Sequence, residues 1–291
     1  MMSTTRDSFP SLKTLRKQTG SGFPIAVAVR VKNELAQLPA FWESLENQTI
    51  ADKCERVFLD SGSSDGTLEF LLKRDCTVFS IRPEEFQFGR TCNLMMELTT
   101  APRVVYFSGH IVLEQSDLLE KLERFFREHP QSAGYMRQVP NPATGFSRYD
   151  VAYLQRRFPE FSEYVREMGT KNSFSNAASL VCREAWESLR FLEVVGAEDH
   201  CWAQAHLSRG GKIYYFPKLN IRHSHNDSPE SVFRRVSVGV EGRYGKRVMP
   251  LRAAFFFAGV FIKILSLGGG VREATAYARN HAKAYLVRSN A

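Results

Sequence analysis

Apolar and polar positions change their period repeatedly over the first 110 residues. Pro24 to Val31 (PIAVAVRV) is a short, nearly continuous β-branched run, the pattern of a strand buried on both faces. From Asn33 to Gln48 the apolar residues Leu35, Leu38, Phe41, Trp42 and Leu45 recur at helical spacing. A second strand is predicted over Arg56 to Leu59, ending at Asp60 and a Ser/Gly cluster. A helix over Thr67 to Arg74, a strand over Thr77 to Ile81, a helix over Gly89 to Thr99 and a strand over Val104 to Phe107 follow. The last of these leads into Ser108-Gly109-His110. This alternation specifies an α/β fold, a mostly parallel, Rossmann-like sheet with helices on both faces. Ligands in such sheets bind beyond the carboxyl ends of the strands. Asp60 and His110 both stand at predicted strand ends and so belong to one crevice.

Downstream, helices are predicted over Ser116 to His129, Arg183 to Leu189, Glu198 to Ser208 and Glu230 to Tyr244. Strands are predicted over Gly134 to Val139, Ser179 to Cys182, Lys212 to Phe216 and Ile221 to His223. Arg148 to Gly169 is charged and aromatic and shows no readable period. The longest apolar segment is Leu251 to Leu267, with Phe255, Phe256, Phe257 and Phe261; Lys263 interrupts it and Gly268-Gly269-Gly270 closes it. A bilayer span needs about 20 apolar residues. The segment is therefore either a buried helix or one lying in a membrane interface, with flanking basic residues on headgroups. The expected division is a flexible lead-in over residues 1–22, one α/β domain over 23–245, and a helical C-terminal extension over 246–291.

Charge narrows the partners. The chain of 291 residues carries 39 basic and 31 acidic residues, a net +8. The excess gathers after about residue 203, at Arg209, Lys212, Lys218, Arg222, Arg234, Arg235, Arg243, Lys246, Arg247 and Arg252. Such a surface attracts anions, whether a phosphorylated substrate or an acidic membrane face. No RNA- or DNA-binding module is visible, so nucleic acid is not an expected partner. Residues 1–22 have no apolar stretch of the kind a secretory signal needs. Five cysteines without a CxxC argue against a disulfide framework and a structural zinc site, and for a reducing compartment. The expected location is cytoplasmic, with peripheral attachment if the Phe-rich segment is interfacial. Oligomeric state is not legible.

Three groups of residues can carry chemistry. Asp60-Ser61-Gly62-Ser63-Ser64-Asp65-Gly66-Thr67 follows a strand and opens a helix. Its small residues allow close backbone approach to a ligand, and a helix N-terminus favours anions. Its acids either accept hydrogen bonds from a nucleotide or merely cap the turn, as Asp65 can for the next helix. Glu198-Asp199 opens a helix, where paired acids complement the dipole or where one acts as a general base. His110, His223 and His225 are candidate metal ligands, the last two alternating onto one side of an extended strand.

Together these residues resemble a family 2 glycosyltransferase of GT-A fold, over roughly residues 24–240. Val29 to Glu34 (VRVKNE) is similar to the opening motif of a bacterial surface-polysaccharide branch of that family. DSGSSDGT is similar to its D-S-G-S-T-D-G-T, and Phe86 to Asn93 to its F-x-x-G-R-x-x-N. Phe174 to Ala177 (FSNA), Glu198-Asp199 through Trp202, and His223 to Asn226 (HSHN) with Phe233 to Arg235 (FRR) follow in the same order. The resemblance implies inverting transfer of a sugar from a nucleotide-diphosphate-sugar donor to a glycan or lipid-linked glycan acceptor. Val31, Asn33, Glu34, Asp60, Ser61, Gly62, Asp65, Arg90, Asn93, Ser108 and Gly109 would line the donor pocket. Asp199 would be the base, with Glu198 as the alternative. A divalent cation, magnesium or manganese, would neutralise the leaving diphosphate. The usual Asp-x-Asp is replaced here by Ser108-Gly109-His110, a variant similar to the S-A-H of that branch. His110 with His223 or His225 would then hold the metal, or His110 and nearby arginines would meet the diphosphate without one. The missing Asp-x-Asp leaves a non-catalytic nucleotide- or sugar-binding protein as an alternative, against which Glu198 and Asp199 stand. A nucleotidyltransferase would carry a Gly-rich, Arg/Lys-bearing first loop, which Val31-Lys32-Asn33-Glu34 is not.

Overall fold

The computed structural model describes residues 5–194, 196–245 and 247–287. In chain order the strands are β1 (Lys13–Arg16), β2 (Ile25–Val31), β3 (Cys54–Asp60), β4 (Thr77–Ser80), β5 (Arg103–Ser108), β6 (Val112–Leu113), β7 (Ser132–Val139), β8 (Arg166–Met168), β9 (Ala178–Cys182) and β10 (Lys212–Arg222). The α-helices are α1 (Leu38–Glu46), α2 (Thr67–Leu72), α3 (Phe88–Leu98), α4 (Leu118–Arg127), α5 (Arg148–Arg157), α6 (Arg183–Ser188), α7 (Glu198–Ser208), α8 (Pro229–Tyr244), α9 (Pro250–Ser266) and α10 (Val271–Lys283).

One mixed sheet runs β1-β4-β3-β2-β5-β9-β7-β10-β6, with β8 on β10. Its β4-β3-β2-β5 core is parallel. β2, all but wholly buried, is the β-branched and apolar run that such a position demands, and β3, equally buried, has Val57, Phe58 and Leu59 at its centre. Chain order reverses between β2 and β5. That is the topological switch point, where the loops after adjacent strands part and leave a crevice.

Several expectations are corrected. The lead-in expected to be flexible is packed from residue 5 onward. Phe9 is buried in the main core, Thr5 donates to Glu97 at 2.7 Å, and β1 pairs antiparallel with β4. An edge strand with exposed side chains has no apolar signature to read. Helix α1 starts at Leu38 because Asn33 adopts φ 56° to turn the chain over the sheet. Lys212 to Arg222 is one strand, not two: Pro217 cannot donate to the ladder, and the register on β7 shifts between Phe216 and Asn220. Within the aperiodic stretch, α5 forms behind a Ser147/Asp150 capping box.

Helices α8, α9 and α10 pack together and onto α5. Tyr149 of α5 reaches His281 of α10, Oη to Nδ1, at 2.7 Å. One face of α9 is core, through Ala253, Val260 and Ile264. The opposite face is apolar and exposed, with Leu251 87%, Phe255 67% and Ile262 64% accessible. No helix among the described residues is long and apolar enough to cross a membrane.

Asn93, expected in the donor pocket, is a pin in the interior. It is 4% exposed. Its Nδ2 donates to Phe191 O, and its Oδ1 accepts from Phe191 N and Trp186 Nε1, each at 2.9 Å. Asn93→Ala would orphan those three buried groups. The expected loss is about 2–4 kcal/mol of stability, read as a lower urea midpoint at unchanged m-value, with donor KM in the surviving folded enzyme unchanged.

Candidate active site

The loops after β2 and β3 are laced together by their own polar side chains. Ser64 N donates to Asn33 Oδ1 at 2.8 Å, and Asn33 N to Ser63 Oγ at 2.9 Å. Glu34 N donates to Thr67 Oγ1 at 2.8 Å. Asp65 accepts from Leu35 N and Thr67 N, both at 3.0 Å, and from Thr67 Oγ1 at 2.7 Å. The Thr67 hydroxyl bond leads the causes that hold the Asp65 carboxyl below its usual range. Asp60 is 2% exposed and accepts from Gly62 N at 3.0 Å and Ser63 N at 3.2 Å. Ser61 N donates to Val31 O at 3.1 Å. Gly62 has φ 85°, and a Cβ there would lie 2.6 Å from Pro83, so the turn demands glycine. Asp65 does serve α2, through Thr67 N, and also ties that turn to the loop after β2.

Beyond the switch point a line of side chains crosses the ends of four strands. His110 Nδ1 lies 2.9 Å from Glu34 Oε1, His110 Nε2 lies 3.0 Å from His223 Nε2, and His223 Nδ1 lies 2.8 Å from Gln138 Oε1. A Cβ on Gly109 would press on Val31 and Glu34, so glycine lets this loop close on the one after β2. His225 stands beside both rings, 5.1 Å and 4.7 Å between centroids. One nitrogen from each histidine lies within 4.8 Å of the others. Burial first, then the His110 and His225 rings, keep the His223 imidazole well below its usual range, hence neutral. The two Nε2 atoms stand 3.0 Å apart, a distance at which one proton is shared between them or a cation joins them. An imidazole cluster suits a transition ion better than magnesium, which prefers oxygen ligands.

The acid pair opens α7, where Ala197 at φ 59° aims the first turn. Glu198 is buried, 3.9 Å from Arg30 Nη1 and 3.4 Å from Asn176 Nδ2. Burial, then the neighbouring Asp199, push its carboxyl up to about 7. Asp199 is partly exposed and accepts from His200 N at 2.6 Å and Asn176 N at 3.4 Å. One acid is thus sequestered against a guanidinium while the other faces the cleft.

That cleft, about 500 Å³, is lined by Ser108, Glu198, Asp199, His223 and His225. His110 and Glu34 do not line it but are linked to His223 through the bonds above. The Val31, Asn33, Asp60, Ser61, Gly62, Asp65 and Gly109 loops follow the carboxyl ends of β2, β3 and β5 without lining it. Arg90 is elsewhere: its guanidinium pairs with Glu193 at 2.9 Å and does not line the cleft. The sequence singled out no role for Arg30, Gln138, Asn176 or Arg157, and read Arg243 only as one of the basic residues after 203. Arg30 and Asn176 lie inside motifs that carried the resemblance, which was the available signal. Gln138 and Arg157 had none, being brought in by β7 and α5.

Residues 26–190, more than half of the chain, match the family model for glycosyl transferase family 2. Glu198, Asp199, His223 and His225 lie beyond that match. The chain is 28% identical over 221 residues to the O-antigen chain rhamnosyltransferase RfbN of Salmonella typhimurium, covering 72% of this chain and 69% of that one. Its fold is similar to that of mannosyltransferase PcManGT from Pyrobaculum calidifontis, solved with GDP-Man and Mn2+ (TM-score 0.57, 16% identity, 97% of this chain and 74% of that one). It is also similar to S. aureus TarS 1-349 in complex with UDP (TM-score 0.56, 14% identity, 90% of each chain). The parallel core, the laced loops at its switch point, and the match across them place this chain in glycosyl transferase family 2.

Proposed function

We propose that the chain is an inverting glycosyltransferase that moves a sugar from a nucleoside diphosphate to a hydroxyl of a glycan acceptor in bacterial surface-polysaccharide synthesis. The carrying observation is that Asp199, His223 and His225 line one cleft beyond the β2/β5 switch point, with His110 against His223. The likeness to RfbN supports the polysaccharide acceptor. The loops bearing Val31, Asn33, Glu34, Asp60, Ser61, Gly62, Asp65, Ser108 and Gly109 form the nucleotide side. Asp60 keeps free acceptor positions on its carboxylate beyond the two amides it binds.

Asp199 takes the proton from the acceptor hydroxyl as that oxygen bonds to the anomeric carbon. The bond from this carbon to the diphosphate oxygen breaks, and its electron pair leaves with the diphosphate. Attack from the side opposite the leaving group inverts the centre. Glu198, paired with Arg30, orients the first turn of α7 and leaves Asp199 as the base. His110, His223 and His225 would hold a divalent ion, manganese in preference to magnesium, which would neutralise charge on the diphosphate. The exposed face of α9, with Arg252 and Lys263 beside it, supports contact with an anionic membrane surface.

Across a panel of nucleotide sugars, Asp199→Asn should lower kcat about 10²- to 10⁴-fold with donor KM nearly unchanged; wild-type kcat in the variant would remove Asp199 as the base. Chelation should abolish transfer by the wild type, Mn2+ should restore it, and His223→Ala should raise the Mn2+ concentration for half-restoration about tenfold or more. Full activity under chelation would refute the cation reading. Combining Leu251→Ser, Phe255→Ser and Ile262→Ser should cut sedimentation with phosphatidylglycerol vesicles several-fold at unchanged Tm. Equal sedimentation would discard membrane contact through α9.

A further inference from the structure

The cleft holds more cation than its acids can balance. Arg156 and Arg157 end α5, and Arg235 and Arg243 lie on α8; all four line the cleft. Arg157, Arg235 and Arg243 act on Tyr153, while Arg156 lies 4.6 Å over the Phe256 ring. Arg157 Nη1 donates to the Tyr153 hydroxyl at 2.6 Å, and the Arg235 guanidinium lies 5.2 Å over the Tyr153 ring. Burial would push the Tyr153 phenol up, yet Arg157, Arg235 and Arg243 outweigh it and hold it below its usual value. Arg235 is paired with Asp227 at 2.7 Å. Among the described residues, Arg156, Arg157 and Arg243 make no ion pair with a carboxylate. Arg235 Nη2 and Arg243 Nε are buried without a hydrogen-bond partner. Buried donors of this kind are costly to leave unmade.

A second cavity, about 370 Å³, adjoins this cluster between α5, α9 and α10. It shares Tyr153, Arg156 and His281 with the cleft, and Ala152, Phe255 and Val260 make it largely apolar. It also borders Phe255, on the exposed apolar face of α9. A cationic cluster opening directly into an apolar cavity matches an amphiphile with a phosphate at the head of a hydrocarbon chain. A carboxylated or neutral glycan would leave the cavity without purpose.

We propose that Arg156, Arg157 and Arg243 bind a phosphoryl group carried by the acceptor, and that the adjoining cavity takes the first carbons of its hydrocarbon chain. This names the acceptor class for the transfer site proposed above and rests on that reading. Arg157 and Asp199 line the same cleft, so few sugar units separate the phosphate from the accepting hydroxyl. The acceptor is then a glycan near the start of its growth on a lipid phosphate. The donor diphosphate belongs instead at the histidines.

Calorimetry on the full chain, without nucleotide sugar, tests this with three probes: inorganic phosphate, decyl phosphate below its micelle concentration, and decanol. Decyl phosphate should bind about tenfold or more tighter than either other probe. The double variant Arg157→Gln, Arg243→Gln should lose about tenfold for decyl phosphate while keeping the wild-type Kd for the donor nucleotide. Gly259 lines the cavity, and a Cβ there meets nothing within 4 Å. Gly259→Leu should therefore fill the space at little cost to folding and reduce decyl phosphate to the affinity of inorganic phosphate. Decyl phosphate no tighter than inorganic phosphate in the wild type, or undiminished in the arginine variant, overturns the proposal. Because the readout is binding, absence of transfer from every nucleotide sugar would sink the transfer reading and leave this result standing.

Discussion

The line Glu34, His110, His223, Gln138 is the constraint on which the site depends. Its members come from the loop after β2, the loop after β5, the end of β10 and the end of β7. These strands are not sequential neighbours, and only the reversal of strand order brings them to one crevice. A carboxylate meets the outer nitrogen of one imidazole, an amide oxygen meets that of the other, and the two inner nitrogens face each other at 3.0 Å. The laced loops after β2 and β3 supply the rigidity, since Glu34 is itself held by Thr67.

Electrostatics divides the cleft. At the start of α7, Glu198 is withdrawn against Arg30 and Asn176, which leaves Asp199 as the acid facing the opening. On the other side three arginines act on a single tyrosine, with Asp227 answering only one of them. One wall therefore carries a cleft-facing carboxylate and the other a set of guanidinium groups. A transfer site that must deprotonate a hydroxyl while retaining phosphates needs both, kept apart. Helices α8 to α10 maintain the separation by packing Arg235 and Arg243 over α5.

Much of this was legible. The strands β2 to β5 and their intervening helices follow from period alone, because fully buried strands and amphipathic helices have distinct patterns. Asp199 and the three histidines were singled out by motif order, and the structure sets Asp199, His223 and His225 on one cleft. Asn93 was misplaced because a motif reports that a residue is needed, not whether a pocket or the interior needs it. Asn93 serves Phe191 and Trp186, almost a hundred residues away in sequence. The lead-in was misread because an edge strand needs no apolar alternation. Leu251 to Leu267 posed an either-or that the helix answers with one face packed and one face open.

The sequence by itself determined the parallel core, the small-residue turn at Asp60 to Thr67 and the acids and imidazoles of the site. Those depend on local period, backbone freedom and residue chemistry, all of which lie in neighbouring positions. Tertiary structure alone decided that His110 faces His223, that Glu198 is buried while Asp199 is not, and that Arg157 and Arg243 share a cleft. Each of those facts is a distance or a solvent exposure between segments up to about a hundred residues apart, and no local pattern encodes it.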